Sequence, residues 1–181
     1  MSVNSWANGL VKTLKDPSTH IISSNLAVVI SDKYPKAKHH YLVLPHEDIP
    51  SIFNLNKTHL PLLEELYLLA LNVIEVKQQK LQNFKIGFHN QPSMQRLHLH
   101  VISKDFVSDC LKKKKHWNSF NTGLFLDYED LCKQLQETGQ VKRLDSDTLK
   151  SLSNVDLKCN QCDFVAKNMP NLKQHLLQHF N

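Results

Sequence analysis

Glycine is scarce, with four in 181 residues, at positions 9, 87, 123 and 139. A Gly-rich phosphate loop of the Walker or dinucleotide type needs glycines close together, so that backbone N–H groups can cradle the phosphates. Glycines this scattered exclude both, and a nucleotide bound here is held by side chains. Long apolar runs are absent too. The longest candidate, Leu60 to Val76, contains Glu64 and Glu65, so no segment reads as membrane-spanning and no membrane partner is expected. Cysteine is sparse and uneven: Cys110 and Cys132 are isolated, while Cys159 and Cys162 form one close pair. That is not the framework of a secreted, disulfide-stapled chain. With no signal peptide at the start, it points to a reducing interior.

The length suits one medium domain with a small appendage. Lys and Arg number 22 against 17 Asp and Glu, for a net charge of +5, which favours a polyanionic partner. Nucleic acid and an anionic membrane surface both satisfy that balance. Ser5 to Lys15 is predicted helical, with Trp6, Leu10 and Leu14 on one face. Strands are expected at His20–Ile22, Leu26–Ile30 and His40–Pro45, with a polar, Pro-containing loop from Asp32 to Lys38. Lys57 to Lys80 carries apolar residues at helical spacing, with Pro61 in the first turn where it is tolerated. Asp127 to Gly139 is a further helix, acidic at its start and closed by glycine. Residues 141–156 are polar and read as a linker that separates a domain at 1–140 from a C-terminal unit at 157–181.

The informative stretch runs from Gly87 to Lys104. Phe84–His89 and Gln95–Ser103 read as antiparallel strands, and strand alternation turns Arg96, His98 and His100 one way and Leu97, Leu99 and Val101 into a core. The two imidazoles then lie about 6.5–7 Å apart along the strand. His89 and Ser93 approach from the preceding segment, and no carboxylate joins them, which suits an anionic substrate. Spacing alone leaves three readings open: histidines satisfied by packing, a His-x-His metal pair, or catalysis. The run from Lys112 to Lys115 is likewise either a solvated face or, interleaved with Trp117 and Phe120, a surface along a phosphate backbone.

Two motifs narrow those readings. Gly87-Phe88-His89 with Pro92-Ser93-Met94, followed by Leu97-His98-Leu99-His100-Val101-Ile102, closely resembles the active-site signature of the histidine-triad hydrolases and transferases. The Pro-Ser-Met form and the stretch from Leu111 to Thr122 resemble the aprataxin branch of that superfamily. The resemblance implies an α+β histidine-triad fold, an antiparallel sheet with flanking helices, and a nuclear DNA-repair hydrolase. Its substrate would be DNA with a 5′-adenylated nick or end, and its product AMP. In that reading His98 is the nucleophile that becomes AMP-histidine, His100 and Ser93 donate to non-bridging oxygens, and His89 protonates the leaving phosphate. Asp32, Lys36 and His40 would lie near the ribose and base, His40 near the site rather than in it, with Leu10 and Met94 also lining the substrate. Arg96 replaces the first histidine of the triad and would keep donors near the phosphates. Trp6 would wedge against the DNA terminus, and Lys12, Lys104, Lys112, Lys114 and Lys115 would follow the backbone. Two other classes remain: a hydrolase of small nucleotide conjugates, and a DNA-binding adaptor whose catalytic site has decayed.

Cys159-x2-Cys162-x12-His175-x3-His179 has the ligand types and spacing of a two-Cys, two-His zinc finger. Pro170 opens a helix that presents His175 and His179 on one face, and Leu172 holds the finger's core position. Ala166 occupies the usual aromatic position, and Phe164 is expected to substitute for it. A structural Zn2+ is implied, because a segment this small does not hold its fold without metal.

Overall fold

The computed structural model describes residues 9–91, 94 and 96–179. Six strands form one antiparallel sheet: β1 (His20–Ser23), β2 (Ala27–Ser31), β3 (His40–Pro45), β4 (Phe84–His89), β5 (Leu99–Ser103) and β6 (Phe125–Asp127), in the order β1-β2-β3-β5-β4-β6. Side-chain alternation gives its two faces different partners. Ala27, Val29, Tyr41, Val43, Leu99 and Val101 pack against α2 (Leu60–Val76) through Leu63, Leu66, Ala70 and Val73, and against Leu131 and Leu135 of α4 (Tyr128–Thr138). On the opposite face, Val28, Ile30, Leu42 and Leu44 form an apolar floor under Leu10 of α1 (Gly9–Leu14), with Leu14 and Met94 beside it. Ile102, further along β5 on that face, belongs to a second apolar cluster with Phe106, Trp117 and Phe120. The histidines occupy the band between the floor and this cluster.

Helix α2 is shorter than the apolar pattern suggested. Residues 57–59 form a 3-10 turn capped by Asn56, and Gln78 leaves the helix with φ 53°, so the chain reverses before Lys80. Gly87 has a specific reason to be glycine. A Cβ there would lie 2.4 Å from the Leu126 carbonyl oxygen and 2.7 Å from Phe125 Cε1, because β6 crosses β4 at that point. β6 had no sequence signal of its own. The Lys112–Lys115 run leads into α3 (Lys114–Asn121), whose inner residues Trp117, Asn118 and Phe120 are buried.

The segment 141–156 is not an extended tether. Asp145 accepts hydrogen bonds from the N–H groups of Asp147 and Thr148 and starts α5 (Ser146–Asn154). Asn118 Nδ2 donates to the Ser153 and Val155 carbonyls, at 3.0 and 2.8 Å, and ties the end of this helix to α3. Arg143 lies 4.0 Å over the Phe53 ring. The C-terminal unit follows as β7 (Leu157–Lys158), β8 (Val165–Ala166) and α6 (Met169–Leu176), with Asn168 capping α6 and Pro170 in its first turn. Leu157, Ala166, Met169, Leu172 and Leu176 complete the same apolar cluster as Ile102, Phe106, Trp117 and Phe120. Trp117 Nε1 donates to the Lys158 carbonyl at 3.1 Å, and Asn160 Nδ2 to the Lys104 carbonyl at 2.9 Å. A buried Leu such as Leu172 stabilises by roughly 1.5–3 kcal/mol, so this contact is a shared core.

Candidate functional site

Four imidazoles converge on the outer face of the sheet. The ring centroids of His98 and His100 are 4.7 Å apart, those of His89 and His100 4.3 Å, and those of His40 and His100 5.3 Å. The register places Leu42 and Gly87 on either side of His100, which is why β3 and β4 both deliver histidines to it. His98 precedes β5 rather than lying within it, so its ring sits closer to His100 than two residues of a regular strand would put it.

Hydrogen bonding assigns the tautomers. His98 Nδ1 lies 2.7 Å from the Arg96 carbonyl oxygen, an acceptor only, so Nδ1 carries the proton and Nε2 keeps a free lone pair. His40 Nδ1 accepts from the Lys36 N–H at 3.1 Å. Its Nε2 therefore donates to His100 Nδ1, 3.0 Å away, which leaves His100 Nε2 as an N–H donor. Among the described residues, His100 Nε2, His89 Nε2 and Arg96 Nε are buried without a partner. Buried polar atoms without partners are uncommon and mark a place where a ligand can complete the bonding. His40 is thus inside the network, one bond from His100, and not merely near it.

Burial governs the charge of the cluster. It depresses the pKa of His40 to about 4 and, helped by His98, that of His89 to about 3. Burial also holds His100 well below the ordinary range, with neighbouring histidines adding to it, and lowers His98 against the opposing pull of the Arg96 carbonyl. All four are neutral at pH 7, so the 3.5 Å approach of Asp32 to His40 is not an ion pair. The unfolded chain takes up protons near pH 6.5 that folded His40 and His89 refuse until about pH 4 and 3. Stability therefore falls as pH drops from 6.5 toward 4, at about 1.4 kcal/mol per pH unit for each imidazole. Urea midpoints measured across that range should decline steeply; a flat profile would mean the rings are solvated.

The remaining candidate residues fall in several places. Leu10 and Met94 belong to the apolar floor beside the histidines. Lys36 is half-buried, with a pKa lowered by desolvation, and its Nζ donates to the Tyr34 carbonyl. Arg96 departs from the expected geometry. Its NH1 donates to Asp48 Oδ1 at 2.8 Å, and its NH2 to the Pro45 and His46 carbonyls at 3.0 and 2.9 Å, so these ends of the guanidinium are committed to the end of β3 and the residues after it, while Nε borders the small cavity that His89 and His98 also line. Lys12 is on α1, Lys112 precedes α3, and Lys114 lies 3.6 Å from Asp156. Lys115 borders a groove of about 300 Å3 with Gln91, Ser146 and Lys150. Lys104 lies past the far end of β5, roughly 13 Å from His100 by strand rise, and its Nζ donates to the Gln82 carbonyl. Trp6 and Ser93 lie outside the described residues.

Phe120, which the sequence pattern grouped with the lysines of a phosphate-facing surface, is buried instead, its ring 4.6 Å from that of His89 and 5.4 Å from those of His40 and His100. Trp117 and Phe120 do share a helical i,i+3 spacing, which the preceding lysines obscure. The cavity bounded by Ser51, Phe88, His89, Arg96 and His98 measures about 10 Å3, room for a single water.

At the C-terminal unit, Cys159 Sγ is 3.4 Å from His179 Nε2, Cys162 Sγ is 3.1 Å from His175 Nε2 and 3.7 Å from His179 Nε2, and the two imidazole nitrogens are 3.2 Å apart. Zinc bonds of about 2.0 Å to nitrogen and 2.3 Å to sulfur span tetrahedral edges of roughly 3.3–3.8 Å. The donors fit that ion. The Phe164 ring stacks on His175 at 4.0 Å, while Ala166 is buried in the shared core.

An antiparallel sheet with paired histidines at the start of a central strand, joined to a Cys/His finger, defines a histidine-triad protein with a zinc-binding appendage. Residues 5–116 match the family model described as scavenger mRNA decapping enzyme C-term binding, and residues 121–181 match the C2HE / C2H2 / C2HC zinc-binding finger. The chain is 60% identical over 175 residues to the aprataxin-like protein of Drosophila melanogaster, covering 97% of this chain and 26% of that protein. It is 31% identical over 173 residues to the aprataxin-like protein of Schizosaccharomyces pombe, covering 85% and 71%. The crystal structure of the aprataxin ortholog Hnt3 in complex with DNA superposes with a TM-score of 0.76 at 26% identity, over 94% of this chain and 90% of that one. The chain belongs to the aprataxin family. It spans about a quarter of the length of its Drosophila relative.

Proposed function

We propose that this chain is a nuclear DNA-repair hydrolase that releases AMP from 5′-adenylated DNA ends through a covalent AMP-histidine. The observation that carries the reading is the His98 tautomer: the Arg96 carbonyl holds Nδ1–H, which leaves the lone pair on Nε2 of a neutral ring. The Nε2 lone pair attacks the adenylate phosphorus. As the N–P bond forms, the phosphoanhydride P–O bond breaks and its electrons leave on the 5′-phosphate of the DNA. Water then attacks the same phosphorus, losing its proton to the solvent, the N–P bond breaks with its electrons returning to Nε2, and AMP departs as His98 regains its lone pair. His100 Nε2–H donates to a non-bridging oxygen, where negative charge gathers. His89 is neutral in the free protein, so it acts as an acid only after the anionic substrate raises its pKa. The floor of Val28, Ile30, Leu42 and Leu44 gives the adenine an apolar seat.

DNA as the carrier of the adenylate is supported by the DNA-bound relative, the net charge of +5 and the lysines around α3. The finger, loaded with structural zinc, would contribute backbone contact and orientation beside the catalytic site. The test is incubation with labelled 5′-adenylated nicked DNA, scoring free AMP and AMP trapped on the protein after acid-free quenching. Both should be seen. Release from dinucleoside polyphosphates that is insensitive to competing DNA and to salt would identify a small-nucleotide hydrolase instead. Absence of any trapped or released AMP would identify a DNA-binding adaptor.

A further inference from the structure

We infer that Arg96 is a positioning residue for the nucleophile, acting through its own peptide plane, with the NH1 and NH2 ends of its side chain engaged at the end of β3. This deepens the proposed function, since it rests on His98 being the attacking group. The carbonyl of Arg96 and the N–H of Leu97 belong to one rigid, planar peptide unit. On one side of that plane the Arg96 carbonyl accepts the His98 Nδ1–H at 2.7 Å; on the other the Leu97 N–H donates to the Ile49 carbonyl at 2.7 Å. The guanidinium is anchored to the same loop, through Asp48 Oδ1 and the Pro45 and His46 carbonyls. Arg96 is buried, whereas the Asp48 side chain is 86% exposed, so the two carbonyls are the sheltered anchors and the ion pair is a screened, weaker one.

Four bonds therefore staple residues 96 and 97 to residues 45–49, and the imidazole hangs from the plane they fix. A rotation of that plane would withdraw the acceptor from Nδ1 and let the proton move to Nε2, which removes the lone pair that attacks. Arg is suited to the task because its planar fork reaches two carbonyls and a carboxylate at once; the ammonium of Lys has no such geometry. The histidine that resembling sequences place at this position is thus replaced here by a side chain turned to the opposite end of β3.

The test uses the full zinc-loaded chain and compares Arg96→Met, Arg96→Lys and Asp48→Ala. Asp48→Ala removes only the exposed anchor, so it folds even where Arg96→Met does not. Two readouts are taken: 15N chemical shifts of the His98 ring nitrogens, and kcat and KM on 5′-adenylated nicked DNA. For Arg96→Met the Nδ1-protonated pattern should give way to a mixture of tautomers, kcat should fall 10- to 100-fold, and KM should change less than 3-fold. Arg96→Lys should recover part of kcat, and Asp48→Ala should shift the tautomer mixture in the same direction with a loss under 5-fold. An unchanged ring pattern in Arg96→Met and Asp48→Ala, or a rise in KM at constant kcat, would overturn the inference; the latter would make Arg96 a substrate ligand. If the parent chain released no AMP, the proposed function would fail, while the 15N shifts would still decide how Arg96 holds His98.

Discussion

His98→Ala should abolish AMP release from a 5′-adenylated nick, with turnover falling roughly 10^4-fold or more, as when a covalent nucleophile is removed from other hydrolases. The folded state should survive, because alanine relieves rather than adds to the desolvation that depresses the imidazole pKa. DNA affinity should change less than tenfold, since the basic residues lie elsewhere on the chain. Two measurements check this: single-turnover AMP release and gel-based trapping of labelled AMP. A His98→Ala chain that still forms a protein-bound adenylate would move the nucleophile to another ring of the cluster. The closeness of His100 and His89 makes that a real contest, but their hydrogen bonding favours neither. His100 Nε2 carries a proton imposed by the bond from His40, and His89 makes its closest ring approach to His100 rather than to a fixed acceptor.

Zinc removal is the second large effect, and it should reach the catalytic histidines. Structural zinc in small fingers contributes binding free energies of about 10–16 kcal/mol, comparable with the whole stability of a domain, about 5–15 kcal/mol. When the four ligands lose the ion, β7, β8 and α6 lose their organising centre. Leu157, Met169, Leu172 and Leu176 then withdraw from the cluster that also holds Trp117 and Phe120. Phe120 is the ring against His89, His40 and His100, so the disturbance passes directly into the site. A chelator should therefore red-shift the fluorescence of buried Trp117, lower the melting temperature by more than 10 °C, and abolish AMP release, all restored by adding zinc back. Retained activity with a lost finger would mean that Trp117 and Phe120 hold their places unaided.

Much of this was legible in the residues. The strand through His100, the α2 core face and a Cys/His cluster of a kind that suits zinc follow from alternation, helical spacing and ligand chemistry. What was not legible depended on contacts distant in sequence. Arg96 reads as a member of the site because strand alternation places it beside His98, but the chain is not yet a strand at residue 96, and carbonyls some 50 residues earlier take its side chain. His40 enters the network because the β3 and β5 registers bring it beside His100, a pairing that no local pattern encodes. The helix α5 was hidden because its residues are polar; it is held by its Asp145 cap and by Asn118 instead of an apolar stripe. β6 is three residues long, and its presence is felt mainly through the missing side chain of Gly87.

The strand that carries His100 is flanked on both sides, by β3 and by β4, and so has no free edge. Its amide protons belong to the slowest-exchanging set in the molecule, with every opening route passing through a neighbour. His98 hangs directly from the start of this strand. An attacking nitrogen tethered to the slowest-opening part of the sheet keeps the same aim from one turnover to the next.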